Sequence, residues 1–188
     1  MSFMLLGILN SQAAGGGGAP AYELIQTVNG TGSSGVIDIT SIPADYQHIQ
    51  IRYLARSTRT FGSDNINIQL NNDTANNYAM HALLGTGSNP AVSRALTTRS
   101  NWTDYGSPDD SNTTGSFMTG VLDILDYDNT SKYKTGRLLY GAVTGDDKVM
   151  LLSGLWQSTS AVTSVKFSLD VGNFVAASRF SIYGIKGA

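Results

Sequence analysis

From Tyr22 onward the chain is built of short apolar–polar alternating runs, separated by Gly, Asn, Asp, Ser and Pro. Side chains of a strand point alternately to its two faces, so such runs predict half-buried β-strands. The first run, with Leu24, Gln26 and Val28, ends at the turn signal Asn29-Gly30. Val36 to Ile39 is the second. In Ile49 to Arg56 the alternation places Ile49, Ile51, Tyr53 and Ala55 inward and Gln50, Arg52 and Arg56 outward, with Leu54 as the exception. Ile66 to Asn71 alternates most cleanly. Further runs are Phe117–Leu125, Arg137–Val143, Val149–Trp156, Val162–Leu169 and Arg179–Ile185. Regularly spaced strands with turn signals between them predict an all-β antiparallel sandwich or barrel. Two stretches break the rhythm. Asn72-Asp73-Thr74 reads as the cap of a short helix reaching Leu84, with Tyr78, His81 and Leu84 on one face and Gly85 as its stop. Residues 85–116 read as a long polar loop, of the kind that is usually functional or contact-forming.

Composition agrees with strands and turns. Of 188 residues 41% are hydrophobic and only 14% charged, below the usual share of about 25%. The surface must then be solvated largely by Ser, Thr, Asn and Gly. A net charge of −2 without a Lys/Arg cluster predicts neither nucleic acid nor an anionic membrane as partner. Cysteine is absent, which excludes disulfides, Cys-ligated zinc and thiol catalysis.

The first charged residue is Glu23. Before it lie an apolar tip, with Phe3, Met4, Leu5, Leu6, Ile8 and Leu9, and a flexible hinge, Ala13 to Pro20, containing four consecutive glycines. The apolar run is far short of the roughly 20 residues that span a bilayer. It also lacks the basic residue that opens a signal peptide. Residues 1–21 are therefore expected to be an extended docking arm, and residues 22–188 one β-sandwich domain of sufficient size for its own core.

Catalytic and metal chemistry has little to work with. His48 is expected outward on a strand and His81 on the short helix, and no G-x-S-x-G elbow accompanies them. Carboxylates cluster at Asp109-Asp110, at Asp123, Asp126 and Asp128, and at Asp146-Asp147. Asp126-x-Asp128-x-Thr130 resembles the opening of a calcium loop but lacks the central Gly and the bidentate Glu. Gly15 to Gly18 has no following Lys and is no phosphate loop. No catalytic residue, metal site or cofactor is expected. Trp156 is expected in the core, whereas Trp102 and Tyr105, in the polar loop, are candidates for contact with a neighbouring subunit or a glycan.

Three stretches carry a family resemblance: SIPADYQHIQIR (Ser41–Arg52), IQLNNDTANNYAMHALLGTGS (Ile68–Ser88) and SRFSIYGIKGA (Ser178–Ala188). Together they resemble a recurrent module of virion structural proteins of tailed bacteriophages, and SFMLLGILNSQAAGGGG (Ser2–Gly18) resembles an attachment leader found on some of them. The resemblance covers most of residues 1–88 and 165–188. It implies a jelly-roll β-sandwich on the virion's outer surface, commonly trimeric and non-enzymatic. Such a module serves as a capsid cement or decoration protein, with the major capsid protein or a tail adaptor as partner. The alternative is a tail-fibre adhesin that binds a host surface glycan. One module and no repeat shaft favour the capsid.

Overall fold

The structure is a computed structural model that describes residues 21–87, 89–107, 115–143 and 148–187, with backbone only at 104, 105 and 107. Twelve strands follow one another: β1 (Tyr22–Asn29), β2 (Val36–Ile39), β3 (His48–Ala55), β4 (Asp64–Leu70), β5 (Tyr78–Gly85), β6 (Val92–Arg99), β7 (Trp102–Ser107), β8 (Met118–Leu125), β9 (Lys134–Ala142), β10 (Lys148–Trp156), β11 (Val165–Leu169) and β12 (Arg179–Ile185). They form two antiparallel sheets, one of eight strands in the order β1-β12-β3-β8-β9-β10-β5-β6 and one of four in the order β2-β11-β4-β7.

The wiring is that of a jelly roll with an extension. The first strand lies beside the last and the second beside the next to last, so β1-β12-β3-β8 and β2-β11-β4-β7 make two interlocked four-stranded sheets. Two further hairpins continue the first sheet past β8. One, β9–β10, follows β8 in the chain; the other, β5–β6, is inserted between β4 and β7. The larger sheet is thereby twice as wide as its partner.

All nine alternating runs are strands, and Ile49, Ile51, Tyr53 and Ala55 do face the core; of the residues expected outward Arg52 is exposed, but Gln50 and Arg56 are buried (8% and 6% exposed). The expected helix over Asn72–Leu84 is not there. Asn71 and Asn72 both have positive φ (53° and 54°), and the Asp73 N–H donates to the Leu70 carbonyl, which makes a tight turn of the type that suits Asn. The Asp73 carboxylate accepts hydrogen bonds from Ala75 N, Asn77 Nδ2 and the Trp156 indole (2.8, 2.8 and 2.7 Å). The chain then runs straight into β5, where Tyr78, Met80 and Ala82 are buried and His81 and Leu83 exposed. A helix bonds to itself, but here β10 and β6 supply the backbone partners on both sides. Strands β6 and β7 likewise occupy part of the expected 85–116 loop. β6 is an exposed edge strand with a bulge opposite Tyr78–Met80, and Thr98 within it has a positive φ of 60°.

The core holds two aromatic groups. Tyr53, Phe167, Phe174 and Phe180 pack under the jelly roll, with centroids 4.9–5.5 Å apart. Tyr78, Trp102 and Trp156 pack under the extension, with Tyr78 5.9 Å from Trp102 and 6.2 Å from Trp156. The Tyr78 hydroxyl both accepts from Leu70 N and donates to Leu70 O (2.9 and 3.2 Å), and burial raises its pKa. Trp102 belongs to β7 of the small sheet and is 0% exposed. Its ring lies against Gly136 of β9 and Gly154 of β10, which face each other across the strand pair. A Cβ at Gly154 would lie 2.5 Å from the indole, and one at Gly136 2.8 Å. The indole N–H is shared between the Ala79 and Leu155 carbonyls, both at 3.2 Å.

Two predictions follow from this packing. Gly154→Ala drives a methyl into the indole and is expected to cost about 1–3 kcal/mol in denaturant unfolding. Gly141→Ala, whose nearest atom is 3.6 Å away, serves as the tolerated control. The second concerns acid stability. Burial pushes the Asp73 carboxyl up, but hydrogen bonds from Asn77, Ala75 and Trp156 outweigh it and hold it below the ordinary value. A depressed folded pKa means that the unfolded chain binds the proton more readily. Asp73 therefore contributes stability above the ordinary Asp range near about 4, and this is lost as pH falls through the lower folded value. Asp73→Asn is expected to flatten that acid limb in a pH series of thermal melts; an unchanged limb would rule the effect out.

Candidate interaction surface

The expected site residues separate. Phe3, Met4, Leu5, Leu6, Ile8 and Leu9 lie outside the described residues. The side chain of Tyr105 also lies outside them, although its backbone belongs to β7. Trp102 is corrected outright: it is a fully buried pin between the sheets and presents nothing to a glycan or a neighbouring subunit. A sequence rich in Asn, Ser and Thr around it reads as loop, but those residues flank a short strand whose one large side chain points inward. Trp156 is buried as expected.

Of the candidate histidines and carboxylates, His48 and Asp126 are engaged in structural pairings. His48, half-buried at the start of β3, accepts the Asp126 N–H at Nδ1 (3.0 Å), while His81 is exposed on β5. The Lys132 ammonium bonds Asp126 at 2.7 Å and holds its carboxyl below the ordinary range. Asp109, Asp110, Asp146 and Asp147 lie outside the described residues. Among the described residues no three His, Asp or Glu side chains converge as a metal site would require. The sequence reading missed three buried charges: Arg56, expected outward, is 6% exposed and donates from its guanidinium to the Ser116 carbonyl (3.0 Å), and Asp64 and Lys134 are buried too. Asp64 accepts Ser57 Oγ, Gly172 N and Val171 N (2.7, 2.8 and 3.2 Å). Lys134 donates to the carbonyls of Asn129, Lys132 and Thr159 (2.5, 2.9 and 3.2 Å), and burial lowers its pKa. Both staple loops at sheet ends.

The surface that stands out is the outer face of the large sheet. Cross-strand register lines up Leu83 of β5, Leu151 of β10, Leu139 of β9 and Val121 of β8 in one row. The three leucines are 52%, 51% and 53% exposed. The next row along the strands aligns Gly85, Val149, Gly141, Thr119 and Leu54, with Val149 59% exposed. Of the fourteen large hydrophobic side chains exposed among the described residues, eight lie on this face: Tyr22, Leu24, Leu54, Leu83, Leu125, Leu139, Val149 and Leu151. Scattered exposed apolar residues are ordinary, but contiguous patches mark interaction sites. Beside Val149 the face opens into a depression of about 700 Å³, lined also by Phe117, Thr119, Gly141, Val143 and Lys148.

On β1, β12 and β3 the face is mixed: Tyr22, Leu24 and Leu54 lie beside an ordered polar network. The Arg52 guanidinium sits 5.4 Å from the Tyr22 ring and 5.1 Å from the Tyr183 ring. Its Nε donates to Gln50 Oε1, and Gln50 Nε2 donates to Asp123 Oδ1, both at 2.7 Å. The leucine row lies mainly on the extension strands, where the adjacent row is polar, His81, Ser153, Arg137 and Asp123, and leads across β8 to Gln50 and Arg52.

A sequence signal for the stripe was present. Leu83-Leu84, Leu138-Leu139 and Leu151-Leu152 are doublets within strands, and period-two geometry sends one member of each outward. No helix among the described residues is long and apolar enough to cross a membrane. In comparisons with known proteins, no family model matches the chain and no curated protein matches it.

The doublets make a paired test. Leu138→Ala and Leu152→Ala, at positions 0% exposed, are expected to cost about 2–5 kcal/mol each. Leu139→Thr and Leu151→Thr are expected to change unfolding of the dilute chain by about 0.5 kcal/mol or less. Equal losses at both members of a doublet would contradict the assignment of faces.

Proposed function

We propose that this chain is a non-enzymatic structural protein of a tailed-bacteriophage virion, most specifically a capsid cement or decoration protein. Residues 1–21 attach it to the particle through Phe3, Met4, Leu5, Leu6, Ile8 and Leu9, with the major capsid protein as the partner. The sandwich, as a homotrimer, is displayed on the outer surface. The observation that carries the reading is the row of exposed leucines on the outer face of a jelly-roll sandwich. A protein destined for permanent assembly can leave such a face in the single chain, because assembly covers it. The charge-free leader supports the same reading: each apolar side chain it buries contributes about 1.5–3 kcal/mol before ordering costs. Several leaders held on one oligomer add avidity.

The alternative, a tail-fibre adhesin for a host surface glycan, has lost one of its two candidate contacts, because Trp102 is a core residue.

Deleting residues 2–19 tests the reading. The truncated protein is expected to stay folded by circular dichroism and to lose cosedimentation with particles that lack their own copy. Undiminished occupancy by the truncated protein would overturn attachment through the leader.

A further inference from the structure

We infer that a shallow depression on β12, β3 and β8 is a binding site for an acidic sugar, with Arg52 and Arg179 as its anion contacts. The inference goes beyond the virion reading. It rests on the sandwich alone and needs neither the leader nor an oligomer.

Charge is the first argument. Besides His81, the charged side chains that strand register turns to the outer face of the large sheet are Arg52, Arg137, Arg179 and Asp123. The face is thus net positive on a chain whose net charge is −2. Its one carboxylate is already engaged, since Asp123 accepts Gln50 Nε2 at 2.7 Å. Arg137 and Arg179 are exposed, and neither has an ion-pair or hydrogen-bond partner among the described residues. The three arginines come from segments far apart in the chain, so the positive face exists only in the folded sheet. A field of one sign concentrated on one face favours a partner of the opposite sign.

Geometry is the second. The depression holds about 330 Å³, at the lower end of the roughly 300–1,000 Å³ of small-molecule sites. Arg179, Ser181 and Tyr183 follow one another along it on β12, and Arg52 and Thr119 line it from β3 and β8. Arg52 is held in place before any ligand arrives. Its guanidinium lies 5.1 Å from the Tyr183 ring and 5.4 Å from the Tyr22 ring, and its Nε donates to Gln50. The two terminal nitrogens of the fork have no hydrogen-bond partner among the described residues. A ligand that meets a preordered side chain loses less entropy on binding.

The chemistry of the lining is the third. A guanidinium fork matches a carboxylate or a phosphate oxygen pair. Hydroxyls of Ser181 and Thr119 and the ring of Tyr183 stand beside it, suited to the hydroxyls and the apolar face of a sugar ring. A protein partner would need contact over roughly 800 Å², whereas this depression has the size of one sugar unit. Arg137 stands on β9, two strands from Arg52 and so about 10 Å across the sheet. It offers a contact for a further acidic unit of the same glycan.

The test is calorimetric titration of the full chain, at low salt, with trigalacturonate, glucose 6-phosphate, maltotriose and hexaglutamate. Trigalacturonate or glucose 6-phosphate is expected to bind, the tighter of the two naming the preferred anion, and to weaken as salt is added. Neutral maltotriose is expected not to bind. Arg179→Gln and Arg52→Gln are each expected to weaken the acidic sugar about tenfold. Lys166→Gln removes the same charge from the outer side of the small sheet and is expected to leave binding unchanged. No binding of either acidic sugar, an equal loss with Lys166→Gln, or hexaglutamate binding as tightly as the sugar overturns the proposal. Should Arg52→Gln unfold the chain by releasing its two tyrosines, Arg179→Gln carries the test, because Arg179 has no partner to lose among the described residues. The chain without residues 2–19 is expected to bind the sugar as wild type does, and loss of binding there overturns the placement. Failure of particle attachment and failure of this site are therefore separate results.

Discussion

The insertion of Trp102 into the glycine notch of β9 and β10 is the contact on which the rest of the architecture depends. A jelly roll closes around its own two four-stranded sheets, and here the larger sheet runs four strands further. Those extra strands need apolar cover on their inner side. Trp102, reaching from the edge strand of the small sheet, supplies much of it, with Tyr78 and Trp156 beside it. A large ring can lie flat on a sheet only where the sheet presents no side chain, and Gly136 opposite Gly154 makes that gap. The buried indole N–H is then satisfied by two strand carbonyls. The two sheets are joined at one point by shape and by hydrogen bonding together.

Once the extension is pinned, period-two geometry dictates its outer face. With Leu84, Leu138 and Leu152 turned inward, Leu83, Leu139 and Leu151 turn outward, and antiparallel register places them side by side. The core and the exposed stripe are two consequences of one pairing. The outward row of leucines thus follows from how the core is filled. The polar network on the same face behaves differently. There Arg52 is held between two tyrosines and by Gln50, so its charge is ordered in place.

The strands were legible wherever burial is one-sided. β2 coincides with the run Val36–Ile39, and β3, β4, β10 and β12 begin or end within two residues of their alternating runs. Legibility failed where two periods fit the same residues. Tyr78, His81 and Leu84 suit a helix face, while Tyr78, Met80, Ala82 and Leu84 suit a strand, and the choice fell to partners far along the chain. It failed again at β6, an edge strand with no buried face to imprint a pattern, and at β7, whose one large inward side chain stands among polar neighbours. The site reading shared that fault, because a tryptophan surrounded by Asn, Thr and Asp looks exposed until the glycines that receive it are brought opposite.

By itself the sequence determined an all-β antiparallel sandwich, nine of its strands and the direction most of their side chains face, because alternation is a local property of the pleat. It also set out a charge-free leader ahead of the first strand and the leucine doublets that put one apolar side chain on each face. Only the tertiary structure decided that residues 72–84 turn and extend, that Trp102 is a pin and not a contact, and that four outward apolar residues from four strands form one row. Each of these depends on strand pairing between segments distant in the chain, and that register is set by the packing of the whole core.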